Sequence, residues 1–158
     1  MRRITPTLVV LALVIAGCGS SGSTTSSGPT TAEFKAEFTA QKAKLKSLGQ
    51  DVGTAVSTAP KKTNTAIMTE FQSLASRATT LAGSLGQLSV PTQYKAELAT
   101  LESSITQVAG ALHSIEAAAA ANDAPAAKAA AETLVADAEQ VKSADNALSS
   151  KLGLPVTK

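Results

Sequence analysis

Between Ile67 and Leu88 the apolar side chains fall at Ile67, Phe71, Leu74, Ala78, Leu81, Leu85 and Leu88, in alternating steps of four and three residues. Steps of this size keep every member on one stripe of an α-helix, whose turn takes 3.6 residues, and would scatter them over both faces of a strand. The pattern recurs three times more. Phe34, Phe38, Leu45, Leu48, Val52 and Val56 precede it, and Tyr94, Leu98, Leu101, Ile105, Val108, Leu112, Ile115 and Ala119 follow it. A last stripe runs through Ala127, Ala131, Leu134, Ala138, Val141, Asp145, Leu148 and Leu152. No segment alternates with the period of two that a half-buried strand requires, so the chain is expected to be all-α.

The breaks between stripes carry helix punctuation. Thr30 with Glu33 is a capping-box pair, Pro60 and Ser89-Val90-Pro91 interrupt the periodicity, and Asp123 precedes Pro125 as an N-cap precedes a first-turn proline. Gly153 and Pro155 supply a stop. Four segments of about 25–30 residues, each ~40 Å long, joined by short breaks predict an antiparallel up-down-up-down four-helix bundle over residues 31–158. The core is thin, because 31 of the 158 residues are alanine. Steps averaging three and a half residues predict left-handed packing at shallow angles, and alanine in the seams predicts tight closure. The same stripes also permit two long hairpins that complete their cores only by dimerising, favoured by Gly49, Gly53, Gly83, Gly86 and Gly110, each costing a helix ~1 kcal/mol relative to alanine. The monomeric bundle is the preferred reading. It places the chain's two domain ends together with Ser89 to Pro91 at one end, and Ala59 to Lys62 with Asn122 and Asp123 at the other.

Residues 1–17 have a basic start at Arg2 and Arg3, an apolar run from Leu8 to Ala16 and small residues at the end, the layout of a cleaved secretory signal. The run reaches only about half the ~20 apolar residues that a membrane-spanning helix needs. It ends in Ile15-Ala16-Gly17-Cys18, which resembles the lipobox of bacterial lipoprotein precursors. That resemblance implies signal cleavage between Gly17 and Cys18, a diacylglycerol on the Cys18 thiol and, in many members, a further acyl chain such as palmitate on the new amino terminus. The chain's single cysteine suits this fate, since an exported lone thiol has no partner for an internal disulfide. Two or three acyl chains at ~0.8 kcal/mol per buried methylene give stable anchoring. The expected location is the extracytoplasmic face of the cell membrane. Residues 18–30 then form a tether, the uncharged Gly/Ser/Thr stretch up to Pro29 having an r.m.s. reach of about 17–20 Å. The body's alanine, glycine and threonine bias is similar to that of helical lipoproteins of high-GC bacteria with no assigned activity. The terminal Lys158 matches the last residue of the small murein lipoprotein, but that protein is one short helix, so no wall link through Lys158 is expected.

The formal charge is +2 from fourteen basic and twelve acidic residues, and loss of Arg2 and Arg3 leaves twelve of each. A neutral mature chain lacks the basic footprint of a nucleic-acid binder. The first hairpin is mildly basic and the second mildly acidic, and internal pairing between them is the expected use of that asymmetry. The Glu-x-x-His motif of di-iron bundles is absent, since Gly110 stands three places before His113. His113, beside seam residue Leu112, reads as a solvated flanking residue. Long continuous helices offer no sharp turn for a Ser-His-Asp site, and no phosphate loop, HExxH or Cys/His cluster occurs. The chain is therefore expected to be no enzyme and to hold no metal or cofactor. Asp145 sits where the seam calls for an apolar residue: either it is buried to set register or bind a ligand, or the seam drifts and leaves it in solvent, the reading preferred here. Tyr94 reads as an amphipathic rim residue. The runs Ala117 to Ala121 and Ala126 to Ala131 around Lys128 read as strong helix former rather than as a docking face.

Two functional classes fit a tethered bundle of this kind. The preferred one is a non-catalytic interaction or structural module holding another envelope protein or a wall component near the membrane. The alternative is a carrier or sensor of a small hydrophobic ligand bound between helices. Tight alanine seams favour the first; an enclosed cavity of a few hundred cubic ångströms argues for the second, and an exposed apolar patch of similar area for the first. Replacement of Cys18 with Ser is expected to move the protein from the membrane fraction to soluble or secreted material on cell fractionation. Retention at wild-type level would contradict the anchor.

Overall fold

In the computed structural model, which describes residues 28–156, each stripe lies on a helix: α1 (Thr31–Thr58), α2 (Asn64–Gly86), α3 (Lys95–Ala120) and α4 (Ala124–Lys151). No strand occurs among the described residues. The signal segment, Gly17, Cys18, most of the tether and Lys158 lie outside them. Helices of 28, 23, 26 and 28 residues run about 35–42 Å. None of the described helices is long and apolar enough to cross a membrane.

The punctuation acts where the sequence puts it. The Thr30 hydroxyl accepts the backbone N–H of Glu33 at 3.3 Å, and the Glu33 carboxylate accepts the Thr30 N–H at 3.0 Å, satisfying donors that a helix start leaves orphaned. The Thr30 hydroxyl and backbone N–H hold the Glu33 carboxyl below its ordinary value of 4.5. That contribution is complete above the ordinary value and fades as the pH falls through the lowered folded-state value. Thr63 caps α2, and Asp123 Oδ1 accepts the Ala126 N–H at 2.9 Å to start α4. Pro60 ends α1 inside a single 3-10 turn, Ala59–Lys61, and a second such turn, Thr92–Tyr94, precedes α3. The reversal after α4 uses Gly153 at φ 62°, a left-handed conformation that costs a residue with a Cβ roughly 1–2 kcal/mol. Asn122 takes the same region at φ 55° between α3 and α4.

Side-chain ties set the directions of neighbouring helices. Arg77 on α2 pairs with Asp51 on α1 at 2.8 Å, Lys151 on α4 pairs with Glu97 on α3, and Asn64 at the start of α2 donates to Asn122 in the α3–α4 turn. The start of α3 thus meets the end of α4, and the start of α2 meets the turn that follows α3, so neighbouring helices run antiparallel in the order up-down-up-down. All eight members of the third stripe are buried, Tyr94 through Ala119, and α3 is the central element against which α2 and α4 both pack. The second stripe is buried from Phe71 to Leu85, with its ends Ile67 and Leu88 half-buried. The core and the apolar residues packed against it lie within residues 34–154.

The outer helices depart from expectation. On α1, Leu45, Val52 and Val56 are only half-buried. On α4, Ala138 is exposed and Asp137 and Asp145 are buried, a drift of about 20° per heptad being enough to turn such positions in or out. Three of the chain's four aromatic residues gather at one end, where Phe34 stacks on Tyr94 with ring centroids 5.5 Å apart and on Phe38 at 6.1 Å. Tyr94 is thereby a core residue joining α1 to the start of α3, which corrects its assignment to the rim.

Leu81, 5% exposed in the middle of the α2 seam, gives the direct check on this packing. Leu81→Asp buries an unpaired carboxylate and is expected to lower unfolding stability by about 4 kcal/mol or more, measured by chemical denaturation followed by circular dichroism. An unchanged midpoint would mean that the seam faces elsewhere.

Candidate functional site

Helices pack at a distance set by the side chains between them, ordinarily about 8–10 Å between axes. On the α1–α4 side, large residues are present at the aromatic end but small or charged ones follow: Lys42, Lys46 and Gly49 on α1, and Asp145, Lys142 and Ala138 on α4. Nothing there fills the space, and the two helices make little direct contact along their length. The expected tight closure therefore holds between α2 and α3 and between α3 and α4, and fails between α1 and α4.

One lysine bridges the gap. Lys42 Nζ lies 2.9 Å from Asp145 Oδ2, and donates to Ser149 Oγ at 2.5 Å and to the Pro155 carbonyl at 2.9 Å. Ser149, fully buried, in turn donates to Asp145 Oδ1 at 3.4 Å. The side chain of Asp145 is 7% exposed and that of Lys42 21%. This corrects the solvated reading of Asp145, whose carboxylate is an acceptor inside the domain. It is also the one ion pair between the two hairpins among the described residues, the others joining partners within a hairpin or a helix.

Beyond this latch lies a half-open cleft of about 730 Å³. Its floor is Ile105 and Val108 of α3, and its walls are Leu45, Leu48 and Val52 on α1 facing Leu134 and Val141 on α4. The antiparallel register set by Lys42 and Asp145 puts Lys46 and Lys142 one turn further along and Gly49 near Ala138 beyond them. Pro155 and Val156 border the latch end. A Cβ built on Gly49 meets no atom within 4 Å, so the glycine faces open space. A smaller recess of about 400 Å³, lined by Val56, Ala59 and Pro60 with Ala127 and Ala131, lies at the far end of the same two helices.

The other candidate residues stay apart from the cleft. His113 has a 54% exposed side chain on the flank of α3, where Nδ1 lies 2.8 Å from Glu116 of the same helix. No group of three or more His, Cys, Asp or Glu residues is placed to hold a metal ion among the described residues. Of the two buried oxygens without a hydrogen-bond partner there, Gln41 Oε1 and Glu97 Oε2, neither lines the cleft. Cys18 and Gly17 fall outside the described residues. The sequence does not announce the cleft: the seam alanines Ala131 and Ala138 read as closure and Gly49 as a helix-softening residue, and the available signal is that Lys42, Lys46 and Lys142 flank those positions on both outer helices. No protein-family model matches the chain, and no curated protein or solved structure matches it.

Because Asp145 is the more deeply buried partner, the two halves of the latch are not equivalent. Lys42→Met strands a buried carboxylate with one weak donor and is expected to cost about 2–3 kcal/mol, whereas Asp145→Asn leaves Lys42 with Ser149, Pro155 and some solvent and is expected to cost about 1 kcal/mol. Urea denaturation of the two variants checks the order; equal or reversed costs would place the latch in solvent.

Proposed function

We propose that this chain is a lipid-anchored, non-catalytic carrier or sensor of a small hydrophobic ligand at the extracytoplasmic face of the cell membrane, with the α1–α4 cleft as its binding site. The observation that carries the reading is the cleft: a recess of about 730 Å³ with an apolar floor and walls, within the range of about 300–1,000 Å³ usual for small-molecule sites. The anchor rests on Ile15-Ala16-Gly17-Cys18. A tether running from Cys18 into α1 enters the domain at the end that also holds Gly153, to whose carbonyl Lys35 donates at 3.4 Å. That end faces the membrane in this arrangement, so the latch and its neighbouring lysines form the membrane-proximal end of the cleft.

The competing reading, a module that docks an envelope protein or wall component through a helix face, asks for apolar surface on the outside of the bundle. Among the described residues the large apolar side chains left exposed are Val135 at 60% and Val156 at 52%, and Val156 borders the cleft. A lone Val135 does not make a docking face. The domain keeps its unsatisfied apolar surface recessed, which suits a small guest better than a flat partner.

Gly49 provides a test that spares the fold. Gly49→Leu projects a side chain into open space and also removes a helix-softening glycine, so stability is expected to hold or rise. Residues 18–158 carrying Cys18→Ser, which retain the whole helical domain, are expected to bind the neutral fluorophore N-phenyl-1-naphthylamine saturably at one site. The added Gly49→Leu change is expected to weaken that binding by about tenfold or more, with an unchanged circular dichroism spectrum. Absence of saturable binding, or equal affinity in both proteins, would overturn the reading.

A further inference from the structure

The cleft is not uniformly apolar, and its polar groups are not evenly spread. Ile105, Val108, Leu134 and Val52 occupy the part distant from the latch, and the cations crowd the other end. Three lysines reach the cleft, Lys42 and Lys46 from α1 and Lys142 from α4. Lys42 is committed to Asp145, Ser149 and Pro155. Lys46 and Lys142 have neither an ion pair nor a hydrogen bond among the described residues. Among the described residues Asp145 is the only carboxylate lining the cleft, and Lys42 already neutralises it. The net result is two unpaired ammonium groups on facing helices, about one helical turn beyond the latch, at the mouth of an apolar channel.

Resting on the reading of the cleft as a ligand site, we propose that the ligand is a single-chain amphiphile with an anionic head, a carboxylate or a phosphate. Its head lies between Lys46 and Lys142, and its hydrocarbon chain runs along Leu48, Val52, Ile105 and Leu134 away from the membrane-proximal end. Each half of this assignment has its own physical cause. Apolar side chains at the floor gain from excluding water and have no donor to offer a polar guest. The ammonium groups have no ion-pair partner among the described residues and gain one from the head, with charge-assisted hydrogen bonds stronger than those to a neutral hydroxyl. The span from Lys46 to Val52 along α1 is about 9 Å at 1.5 Å per residue, a narrow apolar seam that takes the head-proximal part of an extended chain. The orientation puts the charged head toward the bilayer, the side from which an amphiphile enters.

Displacement of N-phenyl-1-naphthylamine from residues 18–158 carrying Cys18→Ser separates this inference from the reading beneath it. Hexadecanoate and hexadecyl phosphate, below their micelle concentrations, are expected to displace the fluorophore about tenfold more tightly than hexadecanol, with hexadecyltrimethylammonium weaker still. Added salt should narrow the difference. In Lys46→Gln/Lys142→Gln the preference for the anions is expected to vanish while fluorophore affinity persists, which a merely structural role for the lysines would not produce. Preference for hexadecanoate over hexadecyl phosphate marks a fatty carboxylate as the guest, and the reverse marks a phosphate-headed lipid; either supports the inference. Fluorophore binding with no preference for anions overturns it and leaves the cleft as a neutral apolar site. No fluorophore binding removes the reading on which it rests. A homodimer seen by sedimentation, abolished by Gly49→Leu, assigns the cleft to a second copy and overturns both.

Discussion

Whether the outer two helices of a four-helix bundle meet is decided by what stands between them, and here that is a single lysine reaching a buried carboxylate. Lys42 spans from α1 to Asp145, Ser149 and the Pro155 carbonyl, while α2 and α4 each close on α3 through Leu and Ala. A buried ion pair contributes little net stability compared with an apolar contact of equal volume, but it strongly opposes any arrangement that separates its members. It therefore works as a register pin. With Phe34 and Tyr94 stacked at the same end, it holds α1 to the rest of the domain there and leaves the remainder of the α1–α4 seam open.

The open seam follows from a balance of volumes. Alanine and glycine bring two helices close only when the opposing stripes interdigitate along their whole length. Gly49 and Ala138 are both small and both line the space between α1 and α4, beyond the Lys42 stem that bridges the two helices. Closing that space would require α1 to move past the aromatic cluster, whose burial is worth several kcal/mol. Leaving it open costs the exposure of Leu45, Val52 and Val141, each half-buried. Dense contacts elsewhere support the domain while the cleft persists, and the apolar surface it retains is what a hydrophobic guest would cover.

Periodicity carried most of the architecture. The third stripe reads as a seam and every residue of it is buried, because α3 packs on both neighbours and any register error would expose a large side chain. Thr30, Asp123 and Gly153 act at helix ends as local chemistry requires, since capping depends on residues three or four places apart. What periodicity could not convey was pairing between distant helices. Asp145 looked misplaced because its partner is on the first helix, and Tyr94 looked peripheral because Phe34, which stacks on it, is equally remote in the chain. The cleft is a property of two stripes taken together: one small residue at Gly49 tightens a bundle if the facing position is large, and opens it if that position is Ala138. Cys18 belongs to a different kind of inference, a local motif that resembles a processing signal and lies outside the described residues.

The central claim is that the cleft holds a guest in the cell. Native mass spectrometry of the full-length protein, released gently from the cell fraction that holds it, tests this most directly. The account predicts a monomer carrying one adduct of amphiphile mass at near-stoichiometric occupancy, absent when Gly49 is replaced by Leu. A bare monomer from both proteins, or a homodimer in place of the adduct, would contradict it.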